Sequence, residues 1–282
     1  MKIAYLGPEK TFTEQITRKI FPEDELIPLQ PIRNVIMAVE DRKLTYGVVP
    51  LENLYNGYVI NTLDTLTKCK DTKITREVSM KITHCLGALK NHDKIERIYS
   101  KSDALEQCDE YLFKNFPDAK TISVSSTAEA ITYLSKNDVY NFTAAAIASK
   151  EALLKSGLEI IAGDICPNNI TRFAILERNR TIQTGDDKTI ITIHPIERDK
   201  PGVLADCLNI LRSQHINLEC IFSRPDRIGN YYFYAELNGH KDEERVKRAL
   251  TSIEYSLNPK SENHRVVNVL GSFPNSHWKE NK

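Results

Sequence analysis

Short apolar segments alternate with amphipathic segments through residues 1–178 of the chain. Short apolar runs that end in turn residues predict strands, whereas apolar residues three or four positions apart predict helices. Leu105, Cys108 and Leu112 have helical spacing and predict one helix over residues 102–115. Strands are predicted over residues 2–6, 46–50, 82–89, 97–99, 121–124, 144–148, 158–162 and 172–176. The pattern indicates an α/β fold in which residues 80–155 form a second, inserted lobe.

A different pattern follows a polar segment, residues 182–187, which we interpret as a linker. Its elements are predicted as strand 189–194, helix 201–213, strand 217–223, strand 231–237, helix 242–253 and strand 265–270. Leu204, Cys207, Leu208 and Leu211 give the first of these helices an apolar stripe. The order βαββαβ is typical of a ferredoxin-like sandwich. We therefore predict two domains, residues 1–178 and 188–273.

Composition narrows the class of protein. The 282 residues are 41% hydrophobic and 27% charged, which is ordinary for a globular protein of two domains. The 38 Lys and Arg residues balance 38 Asp and Glu residues, so net charge favours neither nucleic acid nor an acidic membrane. An aromatic strand at residues 231–234 would suit base stacking, but the charge balance argues against that function. The apolar run at the N-terminus is too short for a signal peptide, and no later apolar segment is long enough to span a membrane. We therefore expect a cytoplasmic protein.

The six cysteines show neither CxxC spacing nor spacing to histidine that would indicate a metal site. They are interpreted as reduced packing residues, with neither zinc nor disulfides.

The candidate chemistry is concentrated in residues 168–173, which follow a turn rich in Gly, Asp and Pro. Asn169, Thr171 and Arg172 place an amide, a hydroxyl and a guanidinium at the beginning of a predicted strand. This combination suits a small anionic substrate rather than hydrolysis. The alternative is a plain turn followed by a buried strand.

Three predicted helices begin at hydroxyl residues that directly follow strands. Thr11 and Ser126 each precede a glutamate by three residues, as in a capping box, and Ser102 begins the third helix. In an open α/β sheet these turns lie at the carboxyl ends of strands, where free backbone N–H groups favour anions. Together with Arg172 they indicate an anion site, although any one of them is also an ordinary cap.

Five ordered motifs in residues 1–178 resemble prephenate dehydratases. They are residues 7–12 (GPEKTF), 48–53 with Gly57 (VVPLEN), 99–108 (YSKSDALEQC), 126–130 (STAEA) and 169–173 (NITRF). The resemblance implies a two-lobed, periplasmic-binding-protein-like catalytic domain that converts prephenate to phenylpyruvate with loss of water and carbon dioxide, without cofactor or metal. It also implies that Thr171 is catalytic. Substrate-binding or site-shaping roles are implied for Thr11, Asn53, Ser100, Gln107, Ser126, Asn169, Arg172 and Phe173.

The second domain resembles ACT regulatory domains through residues 198–204 (RDKPGVL), 216–218 (INL), 223–225 (SRP) and 231–234 (YYFY). The resemblance implies a homodimer or homotetramer that binds L-phenylalanine at a subunit interface and is inhibited by it. The residues implied in that site are Gly202, Val203, Leu204, Asn217, Ser223, Arg224 and Pro225.

Several residues depart from the family patterns. Lys10 stands in place of a glycine, Leu54 of a serine, residues 101–102 of a His-Pro pair and Phe222 of a glutamate. These departures leave three alternatives open: a specialised relative, either a non-aromatising prephenate decarboxylase or an arogenate dehydratase, or an amino-acid sensor without activity. His84 lies in an apolar stretch with no carboxylate nearby in sequence, and we interpret it as structural rather than catalytic.

Overall fold

The computed structural model describes residues 1–135, 142–179, 181–195, 201–227, 230–258 and 265–276. The strands are β1 (Lys2–Leu6), β2 (Glu25–Leu29), β3 (Tyr46–Asn53), β4 (Gly57–Tyr58), β5 (Lys73–Lys81), β6 (Cys85–Ala88), β7 (Arg97–Lys101), β8 (Lys120–Val124), β9 (Ala144–Ala148), β10 (Glu159–Ala162), β11 (Ile170–Glu177), β12 (Asp187–Ile193), β13 (Leu218–Arg227), β14 (Asn230–Asn238) and β15 (Val267–Pro274). The helices are α1 (Phe12–Ile20), α2 (Ile32–Glu40), α3 (Ile60–Leu66), α4 (Ser102–Gln107), α5 (Asp109–Asn115), α6 (Thr127–Ser135), α7 (Lys150–Lys155), α8 (Val203–Ser213) and α9 (Glu244–Leu257).

Two sheets divide the first part of the chain into two lobes. The first lobe contributes β5, β11, β3, β1 and β2, in that order, to a larger sheet, and β4 pairs with β3. The second lobe is a five-stranded sheet in the order β10-β6-β9-β7-β8. The chain crosses between the lobes twice, over residues 82–84 and 163–169. The predicted two-lobed α/β architecture is confirmed, and the second lobe is the predicted insertion.

The C-terminal unit has the predicted order βαββαβ, with helices α8 and α9 packed on strands β12 to β15. Its core contains Cys207, Leu211, Val246 and Ala249, all of which are buried. Of the apolar stripe predicted for the first helix, Cys207 and Leu211 are buried, whereas Leu204 and Leu208 are half-buried. Arg198, Asp199 and Lys200 of the predicted motif lie outside the described residues.

The larger sheet continues from the first lobe into the C-terminal unit. Its full order is β13-β14-β12-β15-β5-β11-β3-β1-β2, and β15 joins β5 through the pair Gly271 and Ile74. A Cβ atom at Gly271 would lie 2.5 Å from the backbone oxygen of Ile74, so this junction requires glycine. The segment interpreted as a linker forms an ordered turn, in which the carboxylate of Asp187 accepts hydrogen bonds from the N–H groups of Thr184 and Gly185.

Several details of the sequence prediction differ from the structure. The helix predicted over residues 102–115 is interrupted at Cys108, whose N–H is shared between the carbonyls of Ala104 and Leu105. The strand predicted over residues 82–89 is limited to β6, while the preceding strand β5, with its four charged residues, was not predicted. Strand β2 was also missed.

Candidate active site

Side chains from both lobes meet at the beginning of β11. Thr171 pairs with Asn53 across the β3–β11 ladder, and the Nδ2 of Asn53 donates to the Oγ1 of Thr171 at 2.9 Å. The same Nδ2 lies 2.7 Å from the Oδ1 of Asn169. Asn169 donates to the Oε1 of Gln107 at 2.8 Å, and Gln107 donates to the Oδ1 of Asn53 at 3.3 Å. We name Asn53, His84, Gln107, Asn169 and Thr171 the amide cluster.

Backbone groups fix the direction of the hydrogen bond to Thr171. The Oδ1 of Asn53 accepts from the backbone N–H groups of Tyr55 at 2.9 Å and Asn56 at 3.3 Å. Because a backbone N–H can only donate, the opposite end of the Asn53 amide must be the NH₂ group that faces Thr171. The hydroxyl oxygen of Thr171 is therefore an acceptor here, and among the described residues its proton is donated to no other group.

His84 belongs to the amide cluster, although the sequence interpretation left it out. Its Nε2 lies 3.0 Å from the Oε1 of Gln107, and its ring packs edge-on against Phe12. Burial lowers the pKa of His84, which favours the neutral ring. Since the Oε1 of Gln107 accepts, the Nε2 of His84 carries the proton, and its buried Nδ1 makes no hydrogen bond to the residues that the structure describes. No local pattern in the sequence pointed to this contact, because Gln107 is 23 residues away along the chain and β5, the strand before His84, was not predicted.

Four other predicted site residues are held elsewhere. Ser100 is fully buried and donates its hydroxyl to the carbonyl of Ile147 at 2.8 Å. Thr11 and Ser126 accept at the starts of α1 and α6 from the N–H groups of Glu14 and Glu129, as the capping-box pattern predicted. The ring of Phe173 is 2% exposed and packs in the core with Ile3, Tyr5 and Ile16. The structure does not bring these four side chains into hydrogen-bond contact with Thr171.

Arg172 points to the opposite face of β11, because successive residues of a strand alternate between faces. Its Nη1 donates to Glu52 at 2.6 Å, its Nε to Glu77 at 2.9 Å and its Nη2 to Glu236 at 2.8 Å. Lys188 lies 3.2 Å from Glu236. We name Glu52, Glu77, Arg172, Lys188 and Glu236 the charged cluster; it joins the first lobe to β12 and β14. The structure therefore does not bring Arg172 to the amide cluster, where the resemblance implied a contact with substrate.

Opposite charges stabilise the ionised forms in the charged cluster. Burial alone would lower the pKa of Arg172, but the carboxylates of Glu236 and Glu77 outweigh it and raise the pKa. Burial would raise the pKa of Glu236, but Arg172, the Tyr58 hydroxyl and Lys188 together hold it below the ordinary value of 4.5. Burial, and then Glu236, raise the pKa of Tyr58, whose hydroxyl hydrogen-bonds Glu236. The guanidinium is thus neutralised internally and offers little net charge to a ligand on the other face.

A second concave site lies in the C-terminal unit. It is a cavity of about 350 Å³, large enough for a small ligand. Its lining residues are Pro195, Gly202, Val203, Leu204, Ser223, Tyr231 and Phe233. Gly202 has φ 90° at the beginning of α8, a conformation that favours glycine. Four of the seven residues predicted for a phenylalanine site therefore line one cavity.

The other predicted residues of that site lie differently. Arg224 points to the first lobe and pairs with Asp64 at 3.2 Å. Asn217 is exposed and Pro225 lies opposite Tyr231 in the β13–β14 ladder. Phe222, which stands in place of the family glutamate, packs against Tyr58 with the ring centroids 5.5 Å apart.

The departures near the amide cluster are both on the surface. Lys10 has φ 66°, which explains why a glycine suits this position, and its side chain is exposed. Leu54 is 65% exposed, and its N–H donates to the carbonyl of Ile170 at the edge of the site.

The six cysteines are free thiols, and five of them are buried, as predicted for packing residues. Burial raises the pKa of Cys69 and of Cys207 to about 11, which keeps both thiols protonated. Among the described residues, no group of acidic, histidine or cysteine side chains has the arrangement of a metal site. Within the same residues, no helix is long and apolar enough to cross a membrane.

Comparisons with known proteins agree with this architecture. A family model described as prephenate dehydratase matches residues 3–181, and one described as ACT domain matches residues 197–255. The bifunctional chorismate mutase/prephenate dehydratase of Aquifex aeolicus is 37% identical over 280 residues, covering 97% of this chain and 74% of that protein. The prephenate dehydratase of Methanocaldococcus jannaschii is 32% identical over 282 residues, covering 96% of this chain and 97% of that protein.

A solved structure is similar over nearly the whole chain. The crystal structure of prephenate dehydratase from Arthrobacter aurescens in complex with L-Phe has a TM-score of 0.82 at 30% identity, covering 98% of this chain and 90% of that one. The lobes, the C-terminal unit and the order of the motifs thus agree with one family. The chain belongs to the prephenate dehydratase family and carries an ACT domain after its two-lobed catalytic part.

Proposed function

We propose that the amide cluster converts prephenate to phenylpyruvate, with Thr171 as the proton donor. The observation that carries this proposal is the hydrogen bond from Asn53 to the Oγ1 of Thr171, which leaves the hydroxyl proton available. Asn53 also polarises that hydroxyl by donating to its oxygen, which makes Thr171 a better donor. Thr171 is 8% exposed, so a ligand that reaches it is largely shielded from water.

The proposed reaction needs little from the protein beyond position and one proton. The bond between the ring and its carboxylate breaks, and carbon dioxide leaves. The electron pair enters the ring as the C4–oxygen bond breaks, and the departing hydroxide takes a proton to become water. The ring becomes aromatic, which supplies the driving force. Thr171 donates to the departing oxygen and is reprotonated from water.

Arg172 contributes less to this proposed chemistry than the sequence suggested, since its charge is neutralised on the other face of β11. Electrostatic support for the two substrate carboxylates then falls to backbone N–H groups, including those at the start of the nine-residue helix α1. Thr11, Ser100, Ser126 and Phe173 shape the site by fixing helix starts and strands. Asn53, Gln107, Asn169 and Thr171 are the residues we propose to contact or directly orient substrate.

A product assay tests the proposed reaction and its alternatives together. Purified protein is incubated with prephenate, and residual prephenate, released carbon dioxide and aromatic product are measured; arogenate is assayed in parallel. Equal amounts of carbon dioxide and phenylpyruvate are expected. Carbon dioxide without an aromatic product would identify a non-aromatising decarboxylase. Turnover of arogenate in preference to prephenate would identify an arogenate dehydratase, and no loss of either compound would leave a sensor.

We further propose that the C-terminal cavity binds L-phenylalanine and lowers activity. Tyr231, Phe233 and Val203 provide apolar walls for an aromatic side chain. The N–H groups at the start of α8 would bind the carboxylate of the amino acid. The Arthrobacter aurescens relative was solved with L-Phe, which supports the same ligand here. Ser223 lines the cavity while its neighbour Phe222 packs against Tyr58 of the first lobe, so a shift of β13 would reach the catalytic part.

A cytoplasmic homodimer or homotetramer is also proposed. β13 lies at the edge of the larger sheet, where a second copy could pair with it. The free, buried thiols suit a reducing compartment. Calorimetry with phenylalanine, together with the mass of the protein in solution, tests the ligand and the assembly.

A further inference from the structure

The contact between Arg172 and the C-terminal unit lies one residue from Thr171. Thr171 pairs with Asn53 in the amide cluster, and Arg172 pairs with Glu52 in the charged cluster. The two clusters therefore contain adjacent cross-strand pairs of one ladder. The register of the β3–β11 ladder shifts immediately after Arg172, where Phe173 lies opposite Pro50 instead of Leu51. A register shift interrupts the regular ladder, so side-chain contacts have more influence on the backbone at this position.

Glu236 is the residue of the C-terminal unit that holds Arg172. Its Oε1 lies 2.8 Å from the Nη2 of Arg172, and its Oε2 lies 3.2 Å from the Nη1. Glu236 is 2% exposed, and it also accepts from Tyr58 and faces Lys188. A bidentate pair fixes both the position and the plane of a guanidinium, which a single point contact does not.

We propose that Arg172 is a positioning residue for the reaction: Glu236 of the ACT domain holds its guanidinium, and this contact sets the backbone position of Thr171 in the amide cluster. The inference rests on the proposed function, because Thr171 is taken as the proton donor. It gives a role in the reaction to a charged side chain that lies next to Thr171 but points to the opposite face of β11. It also makes the ACT domain part of the active geometry in the absence of any regulatory ligand.

Two other interpretations of Arg172 make different predictions. If Arg172 only ties the two parts of the chain together, weakening its pair with Glu236 lowers the midpoint of unfolding but leaves the kcat of folded protein unchanged. If Arg172 contacts substrate directly, releasing it from Glu236 changes KM more than kcat. A positioning role lowers kcat and leaves KM nearly constant, because the misplaced donor acts in the transition state.

The test compares Glu236→Gln with Glu219→Gln. Gln at position 236 keeps the size of the side chain but removes one charge from the bidentate pair. Glu219 contacts Lys188 at 2.7 Å and has no contact with Arg172, so it is a matched control from the same part of the molecule. We expect Glu236→Gln to lower kcat about ten- to hundred-fold, with KM within about two-fold, since a displacement near 1 Å has effects of this size. Glu219→Gln is expected to keep both constants within about two-fold.

A second measurement does not depend on turnover. Amide hydrogen exchange is followed for peptides covering residues 168–175, with β7 in the second lobe as an internal reference. Faster exchange in residues 168–175 of Glu236→Gln, with β7 unchanged, supports the positioning role. Unchanged exchange in that segment, or an unchanged kcat with a lower unfolding midpoint, overturns it. If the wild-type protein does not consume prephenate, the proposed function fails. The exchange data then still show whether the contact between Glu236 and Arg172 sets the backbone position of Thr171.

Tyr58→Phe provides a second variant if Glu236→Gln does not fold. It removes the hydroxyl that hydrogen-bonds Glu236 and lies 3.3 Å from the Nη1 of Arg172, but keeps the ring that packs against Phe222. A fall in kcat of about three- to ten-fold with KM unchanged is expected, less than for Glu236→Gln, because the hydroxyl loses its contacts with both charged groups while the pair between Glu236 and Arg172 remains. An unchanged kcat together with unchanged exchange in residues 168–175 contradicts the proposal.

Discussion

The two faces of β11 differ in chemistry although their residues alternate along one strand. On one face, Thr171 meets uncharged amides that hold its hydroxyl in a fixed direction. On the other face, Arg172 meets three carboxylates and joins the catalytic part to the ACT domain. A family motif carries Thr and Arg together, but the strand period of two separates their side chains. Adjacent residues of a motif can therefore lie in different chemical surroundings on opposite faces of one sheet.

The largest expected effect comes from removing the hydroxyl on the uncharged face. Thr171→Ala is expected to lower kcat by roughly two to four orders of magnitude, the scale of a positioned proton donor. The fold should persist, because the change removes one small group and leaves the charged cluster intact. Steady-state kinetics and the unfolding midpoint measure the two effects.

Thr171→Ser is the control for this prediction. It keeps the hydroxyl and is expected to retain far more activity than the alanine variant. Turnover of Thr171→Ala close to that of the wild type would remove Thr171 from the mechanism, and the difference between the two faces would lose its catalytic meaning.

A smaller effect is expected from reversing one hydrogen bond within the amide cluster. Asn53→Asp replaces the NH₂ group that donates to Thr171 with an oxygen of nearly equal size. The carboxylate would accept the hydroxyl proton, which would no longer point to the substrate. We expect kcat to fall about ten- to hundred-fold, since a misdirected donor loses much of its contribution.

Asn56→Asp separates reversal of the hydrogen bond from simple repulsion of an anionic substrate. Asn56 accepts from Gln107 at the edge of the same cluster, but it makes no hydrogen bond to Thr171. Its substitution adds the same charge and is expected to raise KM more than it lowers kcat. Equal falls in kcat for the two variants would show that charge, and not the direction of the Thr171 hydroxyl, governs the rate.

The sequence predicted the architecture more completely than the contacts within the site. Apolar spacing was sufficient for the two lobes and the βαββαβ unit, because burial follows hydrophobic period. It did not reveal β5, whose residues include Lys73, Arg76, Glu77 and Lys81. Glu77 is 3% exposed, and its burial depends on Arg172, a partner distant in sequence. No local pattern identifies such a pair.

The same limit applies to the contacts of the predicted site residues. The motifs predicted that residues far apart in sequence form one site, and the side chains of Asn53, Gln107, Asn169 and Thr171 are in contact in the structure. The direction in which the Arg172 side chain points follows from its place next to Thr171 in β11 and from its contact with the carboxylate of Glu236 in the ACT domain. His84 was interpreted as structural because no carboxylate lies near it in sequence, whereas its partner, Gln107, is 23 residues away along the chain. Tertiary contacts, not residue type, decided each of these cases.

The smallest expected effect is a difference between the two faces of β11 in how their contribution to stability depends on pH. Asn, Gln and Thr side chains do not titrate, so the loss of stability in Thr171→Ala should be the same at every pH. Glu236 is different, because Arg172, the Tyr58 hydroxyl and Lys188 outweigh burial and hold its pKa below 4.5. Its ionised form stabilises the fold above that value, and the contribution is lost as pH falls through the lower pKa of the folded protein. The Glu236→Gln variant lacks this contribution at any pH.

Urea unfolding of the wild type, Glu236→Gln and Thr171→Ala between about pH 7 and pH 3 measures this difference directly. Other carboxylates titrate in all three proteins, so the comparison is between differences in unfolding free energy and not between absolute values. The unfolding free energy of the wild type should exceed that of Glu236→Gln by the largest amount near neutral pH. This difference in free energy should narrow below about pH 4.5, the ordinary pKa of the carboxyl group. A gap that stays constant through that range would mean that the ionised carboxylate of Glu236 does not stabilise the fold. The bidentate contact with Arg172 would then hold the guanidinium in place without contributing to stability.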